Sequence, residues 1–199
     1  MTAVMTGMKM SRRLLLALLV MIGLLGLAGS VAGQEAEPAA KTISFDVAED
    51  MSRFVFDTDV AYDDGMPKHG SAFITQGYIY PKGTLDGTNG VLADGSPEFP
   101  DLVLGEWTCR GWFVGDGAHA TSGPMVISTQ IYNFGEALGA ETLVSDGYEL
   151  ADIGVVFQRA ITGGTGEYAG AGGVVNQTFL GFNASAGVNL TFDLELTES

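Results

Sequence analysis

The stretch 159–174, Arg-Ala-Ile-Thr-Gly-Gly-Thr-Gly-Glu-Tyr-Ala-Gly-Ala-Gly-Gly-Val, constrains the fold most, because a strand pattern runs into it and another runs out. Gly164, Gly166 and Ala169 fit the G-x-G-x-x-A spacing of a dinucleotide-binding turn, but that turn must open a helix. The residues after it, Val174-Val175-Asn176-Gln177-Thr178-Phe179-Leu180, are rich in β-branched and aromatic side chains. Gly170, Gly172 and Gly173 would each weaken a helix by about 1 kcal/mol. The stretch therefore reads as a glycine-rich hairpin, in which glycine supplies positive φ at the turn and lets strands bend or approach closely.

The first residues are of another kind. Lys9, Arg12 and Arg13 precede an apolar run over 14–28, and Ser30-Val31-Ala32 offers a small-residue cleavage site. This is the tripartite pattern of a signal peptide over 1–32, and 15 residues are short for a membrane span of about 20. The expectation is a secreted or periplasmic protein with no stable membrane anchor. Cleavage after Ala32 leaves 199 − 32 = 167 residues, enough for one domain with a core that needs no staples. The single cysteine, Cys109, leaves no internal disulfide to form. Removing three basic residues with the leader leaves 6 basic against 24 acidic, a formal charge of −18. Such a surface repels nucleic acid, whose binding rests on Lys and Arg.

A polar, alanine-rich tether with Pro38 is expected over 33–50, and a barrel domain over 51–199. No segment of that domain shows helical periodicity. Strand patterns run over 53–62, 71–80, 102–114, 125–134, 141–148, 153–162, 173–182 and 188–197, and a Gly-, Pro- and Asp-rich loop over 81–100 is expected to cross an end of the barrel. The last strand alternates most cleanly, with Val188, Leu190, Phe192, Leu194 and Leu196 against Asn189, Thr191, Asp193, Glu195 and Thr197. About eight short strands without helical crossovers argue for an all-β antiparallel barrel or sandwich. A barrel of this strand number either fills itself with side chains or holds one small ligand.

The run from Ile161 to Val174 resembles the signature hairpin of the allene oxide cyclase and dirigent superfamily. The segment Gly105-Glu106-Trp107-Thr108-Cys109-Arg110-Gly111-Trp112, and the closing piece from Leu180-Gly181-Phe182-Asn183 to Leu196, are similar to its bacterial relatives. The resemblance covers roughly 52–196 and implies closure into an eight-stranded antiparallel β-barrel, allene oxide cyclase-like and calycin-like, that assembles as a homotrimer. A barrel of this kind can host many activities, so the chemistry must be argued from the site.

Asp57 and Asp59 lie two apart on the first strand pattern and so share a face with Val55 and Ala61. Periodicity leaves that face either solvated or lumenal; in a lumen, desolvation and mutual repulsion would raise at least one carboxyl pKa. The resemblance adds roles. Allene oxide cyclases carry a first-strand carboxylate that stabilises positive charge as an epoxide opens, a proline just beyond it, and a strand cysteine at the pocket. Dirigent proteins use pocket aspartates to guide radical coupling. Carried onto this sequence, the carboxylate falls on Asp57 or Asp59, the proline on Pro67 and the cysteine on Cys109, the acid being Asp where the cyclases have Glu. Cys109 also suits a small buried hydrophobe. Arg110 and Arg159 stand in strands as partners for Glu106, Asp57 or Asp59. His69 and His119 lack ligand spacing, so no metal and no cofactor is expected. The expected function is binding of a small hydrophobic lipid, terpenoid or phenolic in the lumen, with isomerase or cyclase activity. The alternatives are a dirigent-like guide or carrier, and a packed barrel serving as a structural or interaction module.

Overall fold

The computed structural model describes residues 41–197. Eight strands follow one another around a closed antiparallel barrel. They are β1 (Lys41–Phe56), β2 (Ala72–Pro81), β3 (Gly105–Phe113), β4 (Pro124–Phe134), β5 (Thr142–Leu150), β6 (Val156–Gly164), β7 (Gly172–Phe182) and β8 (Val188–Thr197). Pairing of β8 with β1 closes the sheet and leaves no edge strand. Among the described residues the helical turns are three short 3-10 segments. The expected all-β, eight-stranded antiparallel barrel is the observed one. The expected leader over 1–32, and 33–40 of the expected tether, lie outside the described residues.

One boundary moves. Residues 41–50, placed in the tether, form the first part of β1, and 41–48 pair one for one with 189–196 of β8. The cause is apolar alternation: Phe45 and Val47 point inward and are 1% and 0% exposed, burial that a tether would forgo. The strand then breaks register between Asp50 and Val55. Asp50 holds the irregularity, its Oδ1 accepting from Ser52 N (3.0 Å) and Ser52 Oγ (2.7 Å), its Oδ2 from Arg53 Nε (3.0 Å). Beyond it Phe54 and Phe56 take over the inward positions, the Phe54 ring stacked with Phe73 at 6.0 Å and tilted against Phe56 at 5.7 Å.

The glycine-rich stretch is the connection between the neighbouring strands β6 and β7, with a 3-10 turn at Gly166–Tyr168. Gly166 has φ +59°, and a Cβ there would run into Ala140 O of the β4–β5 connection, so the residue is fixed twice over. The turn drives Tyr168 into this end of the barrel, where its ring meets Phe134 at 5.7 Å.

The loop 82–104 does not cross a barrel end. It straps the outer wall of β1 and β2, burying Ala48 and Tyr80 beneath Leu85 and Val91. Buried Asp46 fastens it, accepting from Gly83 N (2.8 Å), Leu85 N (3.1 Å) and Thr191 Oγ1 (2.6 Å). Tyr80 OH donates to Gly90 O at 2.7 Å. Both faces of β1 are thus buried, which is why Asp46 and Asp50 on its outer side are as inaccessible as its inner residues.

Inside, the barrel is filled at one end and hollow at the other. Phe45, Tyr132 and Phe192 pack at centroid distances of 5.1–5.2 Å, with Leu143, Ile161, Val175 and Leu194 in the same cluster. Above them the inward positions turn polar, at Gln130, Ser145, Arg159 and Gln177, all buried. None of these four lines the open half, whose polar lining on the strands is Glu49, Thr75, Cys109 and Glu149.

Candidate functional site

The open half is a cavity of about 500 Å³, within the range of about 300–1,000 Å³ typical of small-molecule sites. Its walls are aromatic and aliphatic: Phe54, Phe56, Phe73, Trp107, Phe113 and Phe179 lead the lining. They come from period two, which sends every second residue of each strand inward. Pro67 and Ala118 close one side, tied together by the Ala118 N to Pro67 O bond of 2.9 Å between two rim loops. Polar groups reach the cavity at four strand positions, Glu49 on β1, Thr75 on β2, Cys109 on β3 and Glu149 on β5.

The two carboxyls are both buried but stand in opposite environments. Glu49 accepts from Thr75 Oγ1 at 2.6 Å and from Val188 N at 2.8 Å, and no cation pairs with it among the described residues. Burial pushes its pKa up, those two bonds pull it down, and the charges of Glu149 and Asp50 push it up again, so the neutral form of Glu49 is favoured more than in a free glutamate.

Glu149 ends below the ordinary carboxylate range. Burial would raise it, but the Arg159 guanidinium and the bonds from Ser128 and Gln177 outweigh burial. Ser128 Oγ donates to Oε1 at 2.5 Å, Gln177 Nε2 to Oε2 at 3.0 Å, and Arg159 Nη1 lies 3.8 Å from Oε1. Cys109 Sγ donates to the same Oε1 at 3.4 Å. Burial, and then the Glu149 charge, push the Cys109 thiol well above its usual value, so Cys109 is a thiol donor here and not a thiolate.

A hydrogen-bonded chain holds Glu149 in place. Gln177 receives from Gln130 Nε2 (3.1 Å), and Gln130 Oε1 receives from Trp107 Nε1 (3.2 Å) and Tyr132 OH (2.8 Å). Arg159 spends its donors on the wall, at Gly147 O, Tyr148 O, Ser128 O, Ser145 O and Ser145 Oγ. Gly147 makes room for it, since a Cβ there would sit 3.3 Å from the Arg159 side chain. Two carboxyls whose surroundings drive their pKa values apart are the arrangement that lets one donate a proton while the other supplies negative charge.

Of the four residues nominated from the sequence, two line the cavity and two do not. Pro67 and Cys109 do. Asp57 and Asp59 do not: both are exposed beyond the end of β1, where Asp57 Oδ1 accepts from Asp59 N at 3.0 Å to close a turn. The physical reason is the competition for the lumen. Phe54 and Phe56 occupy the inward face, which leaves the Val55, Asp57, Asp59 face to solvent, and Val55 is 63% exposed. The lumenal carboxyl of β1 is Glu49. Arg159 pairs with Glu149, not with Asp57, Asp59 or Glu106, and Glu106 is held by Arg53 at 2.9 Å. Arg110 is exposed. Among the described residues no cluster of His, Cys, Asp or Glu is arranged to hold a metal ion.

No protein-family model matches the chain, and no curated protein matches it in sequence. Solved structures do match in fold. The pterocarpan synthase dirigent protein PsPTS1 aligns over 81% of this chain and 97% of its own, with 15% identity and a TM-score of 0.56. The pterocarpan synthase dirigent protein GePTS1 aligns over 79% and 88%, with 15% identity and a TM-score of 0.54. The chain has the barrel fold of the dirigent proteins.

Proposed function

We propose that the barrel binds a small hydrophobic molecule in its open half and rearranges it by intramolecular ring closure, in the manner that the resemblance to allene oxide cyclases implies. One observation carries this: a cavity walled by aromatic and aliphatic side chains meets a carboxyl pair, Glu49 and Glu149, at its polar end. The apolar walls fold a flexible ligand into a reactive shape, which removes entropy from the ring-forming step. Glu49, as the neutral acid, donates a hydrogen bond to an oxygen of the ligand, on which negative charge gathers as a carbon–oxygen bond weakens. The Glu149 anion offsets the positive charge left on carbon. No atom is gained or lost, so the reaction is an isomerisation. Export to the periplasm or the medium belongs to the same proposal and rests on the N-terminal pattern.

A second reading is favoured by the crowding around Glu149. Ser128, Gln177 and Cys109 already donate to it, so it serves as a fixed charge that orients a ligand without exchanging protons, as a guide or carrier requires. Native mass spectrometry of protein purified without added ligand tests the shared part: a copurifying apolar molecule, released by a substitution that fills the cavity such as Val126→Trp, is expected. Absence of any ligand, together with no uptake from a panel of lipids, terpenoids and phenolics, would refute both readings. Turnover that is lost in Glu49→Gln, with binding kept, separates the isomerase from the guide.

A further inference from the structure

We infer that the lumen admits an uncharged apolar molecule and rejects the corresponding carboxylate or sulfonate. This rests on the ligand-binding reading above and narrows its ligand class. No Lys, Arg or His is among the side chains that line the cavity. The cation nearest in function is Arg159, and it is fully engaged behind the wall, donating to backbone carbonyls of β4 and β5 and to Ser145 Oγ while facing Glu149. Arg53 is turned outward onto Asp50 and Glu106.

An anionic head group seated at the polar end would therefore lie beside the Glu149 carboxylate without a counter-charge, in a site that water leaves when the ligand enters. Desolvation and like-charge repulsion both oppose it. Seated the other way, with its charge at the mouth, it would meet Met51, Met66, Ile153 and Phe182, an apolar rim. The rim loops add exposed Asp63, Asp64 and Asp116 beside exposed Lys68 and His69, with His119 on Asp64 at 2.8 Å, so acids outnumber the lysine there. The polar end offers a ligand the Glu49 carboxyl, suited to a neutral oxygen such as a carbonyl, ether, epoxide or hydroxyl. Of the apolar classes that suit the cavity, a terpenoid, a phenolic or an esterified lipid passes this filter, and a free fatty acid does not.

The test uses two dyes with one skeleton. N-phenyl-1-naphthylamine is neutral, and 1-anilinonaphthalene-8-sulfonate adds a permanent anion. Fluorescence titration at pH 8 reads the part of each signal displaced by 1-dodecanol, so that adsorption to the outer surface is not counted. The neutral dye is expected to bind at least about a hundredfold more tightly, as like-charge juxtaposition in a desolvated site costs several kcal/mol. Dodecanol is expected to displace it where dodecanoate does not, a comparison that needs no variant. In Glu149→Gln, if folded by circular dichroism, the gap between the dyes should narrow to about tenfold or less. Binding of both dyes within about threefold would overturn the inference and leave the lumen reading standing. Binding of neither dye, with no effect of dodecanol, would overturn both. An unchanged gap in folded Glu149→Gln would overturn the assignment of the barrier to that carboxylate.

Discussion

Arg159 Nη1 and Glu149 Oε1 lie 3.8 Å apart inside the barrel wall, where the Arg159 side chain has no exposed surface. Replacing Arg159 with leucine removes the cation and leaves a buried carboxylate, a change of about 3–5 kcal/mol against folding. The loss depends on pH in a definite direction. Glu149 is held below its ordinary value of 4.5, so the stability it contributes is present above that value and lost as pH falls through the lowered one. The difference between wild type and Arg159→Leu in urea denaturation should therefore be largest near pH 8 and shrink toward pH 4. A difference that is constant with pH would show that Arg159 acts through its carbonyl contacts alone.

Glu49→Gln tests the other carboxyl, with the opposite sign. A raised folded-state pKa means that the fold prefers the proton. The associated stability is complete below the ordinary carboxyl value and declines as pH rises from there through the raised value. The glutamine variant should match wild type near pH 4 and equal or exceed it at pH 8. Ligand turnover should fall in Glu49→Gln, whereas Asp57→Asn and Asp59→Asn should retain it, because those two residues are outside the lumen. Loss of turnover in Asp57→Asn with full activity in Glu49→Gln would reverse the assignment.

Gly166→Val should cost well over 1 kcal/mol, since a β-branched residue is placed at φ +59° with its Cβ against Ala140 O. Thermal denaturation reads this directly. An unchanged midpoint would contradict the turn geometry.

The exterior carries its own prediction. Trp112, Ile127 and Tyr148 are cross-strand neighbours on β3, β4 and β5, and they are 58%, 39% and 53% exposed. Such a row on an outer wall suits self-association, and the resemblance implies a trimer. Light scattering at micromolar concentration should give a multiple of the chain mass that reverts to the monomer in Trp112→Glu. A monomer in the wild type would end the expectation.

Much of the fold was legible from residues alone, and the exceptions have physical causes. The β8 pattern matched because Leu190, Phe192, Leu194 and Leu196 are core while the opposite face opens to solvent toward Glu195 and Thr197, although its first member, Asn189, is covered by the loop 82–104. The β6–β7 connection matched because only glycine tolerates its backbone and its crowding. Glu49 was missed because β1 is buried on both faces: Asp46 and Asp50 lie under the loop 82–104 while Glu49 points inward, so alternation of polarity disappears. The signal that remained was Phe45 and Val47, four and two residues before it, followed by a register break held by Asp50. Glu149 was missed because the fifth strand pattern was ended at 148, whereas β5 runs on to Leu150 and turns Glu149 inward. A strand arginine in phase with the inward Ile161 was the clue to a buried anion.

The measurement that bears most directly on the central claim is a carbon-detected NMR titration of protein labelled at the glutamate side-chain carboxyls, with the two signals assigned through Glu49→Gln and Glu149→Gln. Glu149 is expected to be still ionised below the ordinary glutamate value of 4.5, Glu49 to be still protonated above it, and an added apolar ligand to move the Glu49 signal. Both groups titrating together near that value, or no response of either to ligand, would contradict the claim.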